Sequence, residues 1–362
     1  MSEVYLLKTT PEKVVEDYCR IMAMAGYKEH VPLDKEIIVK LNLSWTIFYP
    51  ASSSPPWQLD GVLSALTNFG YDKNKIYPVE NKTVVTNTRK GAKNQGWLSV
   101  LEKYGIPFYP LPEQEWIKFT PKASLLKLDK IFPEGIYVPK IFFGKSIIHL
   151  PTMKTHGHSI TTGAIKNAFG GLLKEVRHYG HEFIHEVLVD LLIMQKEIHP
   201  EVFAVMDGTV CGDGAGPRTM IPYIGNLILA SFDSVAIDAV AAKIMGFEPL
   251  KIDYLRIAHE MSLGIADLTK IKVIGENITG MNFGFKTKRS FVIFGDQALR
   301  KGFLRPLKKI ALHSPLWVWA PIASTIYHDY LWYPLIGYWR KKKFLKTEWG
   351  GLFLSYIREG NK

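Results

Sequence analysis

Cysteine is scarce in this chain of 362 residues, which contains only Cys19 and Cys211. Two cysteines cannot form the disulfide framework of a small secreted domain, a four-cysteine zinc ribbon or the cluster site of a ferredoxin. The charged N-terminus also lacks the hydrophobic core of a secretory signal. We therefore expect a cytoplasmic protein with no iron–sulfur cluster of its own.

Most of the chain also carries little net charge. The formal net charge is +11, but residues 300–362 hold 12 Lys and Arg against three acids, which leaves +2 for residues 1–299. A nearly neutral body gives no reason to expect specific nucleic-acid binding. The hydrophobic content of 47% suffices for a sizeable core.

Long uninterrupted hydrophobic runs are absent too. Residues 311–339 carry eight aromatic side chains and one charge, Asp329, but three prolines interrupt them. This pattern favours a segment lying on an anionic membrane, peripheral at the inner face, over a full span. The alternative is a hydrophobic surface covered by a partner or a second copy. The candidate membrane-surface residues are Trp317, Trp319, Trp332, Trp339, Arg340, Lys341, Lys342 and Lys343.

Strand-like and helix-like stretches alternate through residues 1–299. The predicted strands are 36–45, 75–81, 144–154, 201–208, 225–233, 270–276 and 289–296; the predicted helices are 11–28, 61–71, 96–106, 162–173, 181–197 and 234–246, the last capped by Ser234. Such alternation is typical of an α/β fold with a mostly parallel sheet and helices on both faces. We expect one α/β domain over residues 1–299 and a basic, aromatic-rich C-terminal tail over 300–362.

Basic and amide side chains concentrate in residues 151–172. Lys154 and His156 follow a predicted strand, and Lys166 and Asn167 share the polar side of the next helix. Candidate N-caps of that helix are Ser159, Thr161 and Thr162. A helix N-terminus with two lysines nearby can bind a carboxylate or phosphate. A solvated surface loop is the alternative.

A second polar stretch, "MDGTVCGDGAGP", covers residues 206–217. It predicts a strand that ends in Asp207, followed by a glycine-rich loop whose backbone N–H groups could approach an anion. The candidate loop ligands are Gly208, Gly212, Gly214 and Gly216. Alternatively, the stretch is a long turn, or Asp207, Asp213 and Asp233 surround a divalent cation.

Histidines cluster further along, in residues 177–187. His181-Glu182-Phe183-Ile184-His185 matches the H-E-x-x-H pattern of zinc proteases, and His178 precedes it by one turn. No third ligand follows at a recognisable spacing. A zinc-dependent hydrolase is therefore the weakest hypothesis, behind a metal bound by some of these histidines and behind histidines that simply line a helix surface.

The order of these motifs resembles the domain-of-unknown-function family 362 over about residues 30–280. The residues that carry the resemblance are Lys40 and Asn42 in "IIVKLNLSW", Lys154 and His156, Lys166, Asn167 and Gly170, and Asp207, Gly208, Gly212, Gly214, Gly216 and Pro217. The resemblance adds Lys40, Asn42 and Gly170 to the candidate ligand-binding residues.

The resemblance implies a bacterial or archaeal protein without a settled activity. Many members carry a ferredoxin-like domain with two four-cysteine clusters, which implies redox-linked, anaerobic-type metabolism. With two cysteines, this chain would need a separate redox partner to supply electrons. Neither the H-E-x-x-H motif nor the basic tail belongs to the family pattern.

Taken together, the sequence predicts a protein that binds a small anionic ligand or metal-bound cofactor at the carboxyl ends of its strands. If it is an enzyme, His156 is the preferred general acid or base because the pKa of imidazole lies near neutrality. Lys154 and Lys166 would stabilise the anion. The rival hypothesis is a non-catalytic, membrane-associated accessory protein of a redox enzyme.

Overall fold

The structure is a computed structural model that describes residues 1–300, 302 and 319–359, with the side chains of 175, 176, 178, 291, 319–321 and 359 left outside the description. Its strands are β1 (Ser2–Lys8), β2 (Ile37–Lys40), β3 (Ile76–Glu80), β4 (Tyr109–Pro110), β5 (Trp116–Phe119), β6 (Ile136–Pro139), β7 (Ser146–His149), β8 (Thr152–His156), β9 (Ile160–Thr162), β10 (Val202–Ala215), β11 (Thr219–Ser231) and β12 (Ile271–Gly275).

The helices flank these strands and continue into the C-terminal segment. They are α1 (Val14–Met24), α2 (Tyr27–His30), α3 (Pro56–Phe69), α4 (Thr88–Asn94), α5 (Trp97–Tyr104), α6 (Leu128–Ile131), α7 (Ala164–Gly171), α8 (Ile184–Ile198), α9 (Ser234–Met245), α10 (Asp253–Glu260), α11 (Phe291–Arg300), α12 (Trp319–Thr325), the π-helical segment Ile326–Gly337, α13 (Tyr338–Phe344) and α14 (Glu348–Glu359).

One large sheet organises the molecule. Its strand order is β12-β1-β11-β10-β7-β2-β3-β4, with β8 and β9 added beside β10. Strand β11 runs antiparallel to both β1 and β10, whereas β7, β2, β3 and β4 are parallel neighbours. The predicted α/β fold with a mostly parallel sheet is confirmed.

The sheet is buried on both faces. In β2, Ile38 points into one hydrophobic cluster, and its neighbours Ile37 and Val39 point into another. Helices α7 to α10 cover the first face, while α1, α3 and α5 cover the second. A strand buried on both sides reads as a continuous apolar run, which explains why "IIVK" was recognisable from the sequence.

Four predicted elements differ in the structure. The predicted strand 289–296 is instead part of helix α11, since a short apolar run does not distinguish the two by periodicity. The predicted strand 201–208 continues to Ala215 as β10, and 144–154 divides into β7 and β8. The helix predicted from 181 begins at Ile184. The N-terminal strand β1 was not predicted.

The C-terminal helices pack into the core of the preceding chain. Trp349 donates a hydrogen bond to Asn226 Oδ1 at 2.7 Å and packs against Trp57. Phe353 stacks on Phe48 with ring centroids 3.5 Å apart. The end of the chain is thus part of the same hydrophobic cluster as α1 and α3. Among the described residues, no helix is both long and apolar enough to cross a membrane.

Candidate functional site

A cavity of about 300 Å³ lies at the carboxyl ends of β2, β3 and β8. In parallel sheets this edge is where ligands bind. Its cationic lining residues are Lys40, Lys166, Arg177, Arg218 and Arg300; its carboxylates are Glu80 and Asp296; its histidines are His156, His158, His181 and His328. Cations therefore outnumber carboxylates on the described walls of the cavity.

An ion pair forms the floor of the cavity. Lys40 Nζ lies 2.9 Å from Glu80 Oε1, and both side chains are almost completely buried. The same ammonium donates to the carbonyl oxygen of Leu41 at 2.6 Å. Burial lowers the pKa of Lys40, whereas Glu80 acts to raise it. Gly170 faces the pair, and a Cβ there would lie 3.5 Å from Lys40 Nζ, an ordinary contact distance.

Helix α7 forms one wall. Asn167 Nδ2 donates to the carbonyl oxygen of Lys40 at 3.0 Å, which fixes its amide beside the floor. Lys166 is partly buried, lies 5.6 Å from the Phe169 ring centroid and forms no ion pair with a described residue. Burial, followed by the charge of Arg177, lowers the pKa of Lys166 to about 8.

The N-terminus of α7 is occupied by another side chain. Asp238 accepts hydrogen bonds from the N–H groups of Ala164 at 2.6 Å and Ile165 at 3.2 Å. Gly163 permits this approach, because a Cβ there would clash with the carboxylate. The prediction that the helix N-terminus binds the anion is therefore wrong.

The predicted caps of α7 have other partners. Ser159 donates to the carbonyl oxygen of Thr161 at 2.8 Å, and Thr162 donates to that of Thr152 at 3.1 Å. Thr161 contacts the Tyr254 hydroxyl at 3.0 Å. These bonds hold the β8–β9 turn instead of capping the helix.

His156 contributes a neutral ring to the cavity. Its Nδ1 accepts the backbone N–H groups of His158 at 3.2 Å and Ser159 at 3.4 Å, so the neutral ring carries its proton on Nε2. Burial lowers the pKa of His156 well below its ordinary value, and Lys166 is the next cause. The near-neutral pKa expected from the sequence does not hold for this buried ring.

Lys154 lies behind the cavity and is not among its lining residues. Its Nζ lies within hydrogen-bond distance of four oxygens, among which its N–H bonds are shared: Asn42 Oδ1 at 2.6 Å, the Ser52 carbonyl at 2.5 Å, Thr152 Oγ1 at 3.1 Å and Ser44 Oγ at 3.2 Å. Burial lowers the pKa of Lys154 well below its ordinary value. Lys154 thus positions Asn42 and Ser44, which do line the cavity.

Asp207 does not lie at a strand end, so the predicted end of that strand is wrong. It lies inside β10, where Thr209 donates to its Oδ1 through the backbone N–H at 3.1 Å and the hydroxyl at 2.6 Å. Tyr18 approaches the same oxygen at 3.4 Å. Burial raises the pKa of Asp207 to about 7. The side chain belongs to the packed interior and does not line the cavity.

The glycines after Asp207 form a β-hairpin, not a loop. Gly208, Gly212 and Gly214 pair with β11. A Cβ at Gly212 would clash with Met220, and one at Gly216 with the carbonyl of Thr155. None of these glycines lines the cavity. The predicted second wall is supplied instead by the turn of this hairpin, through Pro217 and Arg218.

The two histidines of the H-E-x-x-H motif make different contacts. His181 lies in the 3-10 segment Glu175–Phe183 and packs against the ring of His158 at 4.9 Å. His185 lies in α8, where it accepts the N–H of Tyr254 at 3.3 Å. The side chain of His178 lies outside the described residues. The helical i, i+4 pair that the zinc hypothesis requires does not form.

The candidate metal-binding aspartates accept hydrogen bonds from backbone N–H groups. Asp213 accepts the N–H of Lys286 at 2.8 Å. Asp233, not Ser234, caps α9 by accepting the N–H groups of Val235 and Ala236. Among the described residues, no group of three or more His, Cys, Asp or Glu side chains could hold a metal ion.

Several cavity residues were missed because they come from elements without a motif. Arg218 lies in the turn between β10 and β11, 3.5 Å from Ser324 Oγ, and burial lowers its pKa to about 10. Arg300 pairs with Asp296 at 2.8 Å on α11. Burial lowers the pKa of His328, in the C-terminal segment, to about 3. Of these missed residues, only Glu80 had a signal in the sequence, because it lies next to the end of the predicted strand 75–81.

The candidate membrane-surface residues divide into two groups. Trp332 is buried against Trp45, with ring centroids 6.2 Å apart, and Arg340 donates to the carbonyl oxygen of Met220 at 2.9 Å. Trp339 is 61% exposed, and Lys342 lies over its ring. Lys341 and Lys343 share α13 with them. Trp317 and the side chain of Trp319 lie outside the described residues.

Comparison with known proteins agrees with the resemblance seen in the sequence. A thylakoid-associated protein of Synechocystis sp. is 25% identical over 192 residues, which cover 51% of this chain and 56% of that protein. This chain thus spans little more than half the length of that relative. The family model described as "Domain of unknown function (DUF362)" matches residues 37–243. Since that match covers more than half of the chain, the protein belongs to the DUF362 family.

Proposed function

We propose that this protein binds a small anionic ligand in the cavity at the carboxyl ends of β2, β3 and β8. The observation that carries the proposal is the excess of cations over carboxylates among the described lining residues. Glu80 is paired with Lys40 and Asp296 with Arg300, so neither lining carboxylate neutralises Lys166 directly. Partly buried cations of this kind attract an anion more strongly than solvated surface lysines do.

If the protein is an enzyme, His156 transfers the proton. Burial and the neighbouring cations keep its ring neutral. An anion bound beside Lys166 would offset that repulsion and raise the pKa of His156, so ligand binding would prepare the ring to accept a proton. A metal-bound cofactor has less support, because the described residues contain no group of three metal-binding side chains. With two cysteines, electron transfer would require a separate redox partner.

Calorimetric titration with sulfate and with inorganic phosphate, at constant ionic strength, tests the proposal. We expect saturable binding by the wild type and at least tenfold weaker binding by Lys166→Met and Arg218→Met. Lys93→Met removes the same charge from an exposed position on α4 and should bind like the wild type. No saturable binding by the wild type, or equal affinity in all four proteins, would reject the anion site. Mass spectrometry of small molecules that co-purify would identify a natural ligand.

The C-terminal segment supports a second candidate function, as a peripheral membrane-associated accessory protein. Large apolar side chains are exposed along Ile322–Trp339, including Tyr330 at 72%, Leu335 at 70% and Trp339 at 61%. Arg340 and three lysines follow immediately. Exposed aromatic and aliphatic side chains beside a basic cluster suit the surface of an anionic bilayer. The similarity to a thylakoid-associated protein supports this proposal.

Co-sedimentation with vesicles tests the membrane proposal on the full chain, because α14 is part of the core and its removal would disturb folding. We expect the wild type to sediment with phosphatidylserine-containing vesicles and the triple variant Tyr330→Ser, Leu335→Ser, Trp339→Ser to remain in solution. A control variant replaces three apolar residues elsewhere that are 40–46% exposed: Leu33→Ser, Ile221→Ser and Met261→Ser. Equal sedimentation of both variants would reject the assigned surface.

A further inference from the structure

We propose that the ligand of the cavity is a polyhydroxylated anion, whose hydroxyl groups bind Glu80 and Asn167 on the floor while its charged group meets Lys166 and Arg218. This inference rests on the proposed anion site and names its ligand class. It is carried by two buried acceptor atoms on the floor for which the described protein offers no hydrogen-bond donor.

The two acceptors are Glu80 Oε2 and Asn167 Oδ1, both without a partner among the described residues. The residues are 2% and 4% exposed, and both line the cavity. The other carboxylate oxygen of Glu80 already has donors, since Oε1 accepts hydrogen bonds from Lys40 and from the N–H of Asn81, the latter at 2.7 Å. A buried acceptor left without a donor is destabilising, so a ligand that supplies donors would gain affinity at this position.

The donor that fits this floor is a hydroxyl group. Lys40 Nζ donates to Leu41 and Glu80, which leaves one of the three N–H bonds of its ammonium for a ligand oxygen. A hydroxyl can accept that bond and donate to Glu80 Oε2. A ligand ammonium could only donate, and it would lie beside the Lys40 cation. Two separate acceptors call for two hydroxyls.

The position of α7 places both halves of such a ligand in one cavity. Asn167 and Gly170 face the Lys40–Glu80 pair. Lys166, which precedes Asn167, lines the same cavity without an ion pair to a described residue. A hydroxy carboxylate and a sugar phosphate share the required chemistry, and the experiment distinguishes them.

Calorimetry with two matched pairs of probes tests the inference: gluconate against hexanoate, and ribose 5-phosphate against pentyl phosphate. Each pair shares its anionic group and differs in hydroxyls. We expect the hydroxylated member of at least one pair to bind the wild type about tenfold more tightly, the gain of about one well-formed hydrogen bond to a charged group. The pair that shows it identifies the anionic group as carboxylate or phosphate.

Variants of the floor residues test whether the floor causes the preference for hydroxylated anions. Glu80→Gln replaces one acceptor oxygen with a donor and should abolish the preference for the hydroxylated member of each pair. If Glu80→Gln unfolds, Gly170→Ala adds a methyl 3.7 Å from Glu80 Oε1 and should reduce the preference in a folded protein. Glu115→Gln, from an exposed ion pair with Lys140, is the matched control.

The outcomes separate this inference from the proposed function. Equal affinity for both members of each pair would overturn the polyhydroxylated ligand and leave the anion site intact. A preference that survives in Glu80→Gln and Gly170→Ala would also overturn it. If the wild type binds none of the four probes, nor sulfate or phosphate, the anion site itself fails and the inference fails with it.

Discussion

Helix α7 and the β10–β11 hairpin look alike in sequence, since each combines glycines with polar residues after a strand. The structure gives them opposite roles. On α7, Lys166 and Asn167 line a cavity and Asn167 keeps an acceptor without a described partner. In the hairpin, Asp207 accepts three hydrogen bonds from Thr209 and Tyr18. Polar residues indicate a ligand site when the fold leaves them unsatisfied, not simply when they accompany glycine.

The lysines of the same stretch show the same contrast. Lys154 is enclosed by four oxygen acceptors, whereas Lys166 forms no ion pair or hydrogen bond with a described residue. The first therefore holds strands and loops together, and the second remains free to meet a ligand.

Substitutions in the enclosed groups should lower stability, whereas substitutions in the cavity-lining groups should lower ligand affinity.

The largest effect should follow Lys154→Met. The variant leaves several buried acceptors, among them Asn42 Oδ1 and the Ser52 carbonyl, without their donor. Each such loss is destabilising by about 1–3 kcal/mol. We expect the free energy of unfolding in urea to fall by about 3–5 kcal/mol, against less than about 1 kcal/mol for Lys166→Met. Equal losses in the two variants would contradict the distinction between them.

Asp207 should make the stability of the protein depend on pH. Its folded pKa of about 7 lies above the ordinary aspartate value, so between pH 4 and pH 7 the folded protein keeps a proton that the unfolded chain releases. Relative to Asp207→Asn, the wild type should lose about 1.4 kcal/mol of stability per pH unit as pH rises through this window. Urea unfolding at four pH values measures the difference, and a constant difference would contradict the assignment.

Two glycines of the family pattern should respond differently to alanine. Gly216→Ala places a methyl against the carbonyl of Thr155, so we expect a loss of about 2–3 kcal/mol from overpacking. Gly170→Ala meets its nearest atoms at ordinary contact distance in a helix, where alanine is favoured. Its melting temperature should be unchanged or higher, while its affinity for hydroxylated anions falls. Similar melting temperatures for both variants would show that the hairpin is loosely packed.

The smallest effect should be the pH dependence of anion binding. Lys166 has a pKa of about 8, so its positive charge is lost as pH rises above that value. Sulfate carries the same charge throughout this range. We expect its affinity to fall about tenfold between pH 7 and pH 9 in the wild type, and to stay constant in Lys166→Arg, because arginine remains protonated. The same decline in both proteins would assign the titration to another group.

Much of the fold was predictable because buried parallel strands and amphipathic helices leave clear patterns. Strand β2, helix α3 and the α9 C-cap at Gly246 follow such local rules. Helix α11 was mistaken for a strand because its "FVIF" run suits either structure. The cap of α7 could not be predicted from local sequence, since Asp238 lies 74 residues beyond Ala164.

The sequence by itself determined the family, the α/β class and six lining residues of the cavity, namely Lys40, Asn42, His156, Lys166, Asn167 and Gly170. His156, Lys166 and Asn167 follow from short patterns, in which the residue and its strand end are neighbours along the chain, whereas Lys40, Asn42 and Gly170 rest on the resemblance to the family. Only the tertiary structure decided that Lys154 and Asp207 are enclosed, and that Arg218, Arg300 and His328 complete the walls. Whether a buried polar group is satisfied depends on partners distant in sequence, and folding alone brings those partners together.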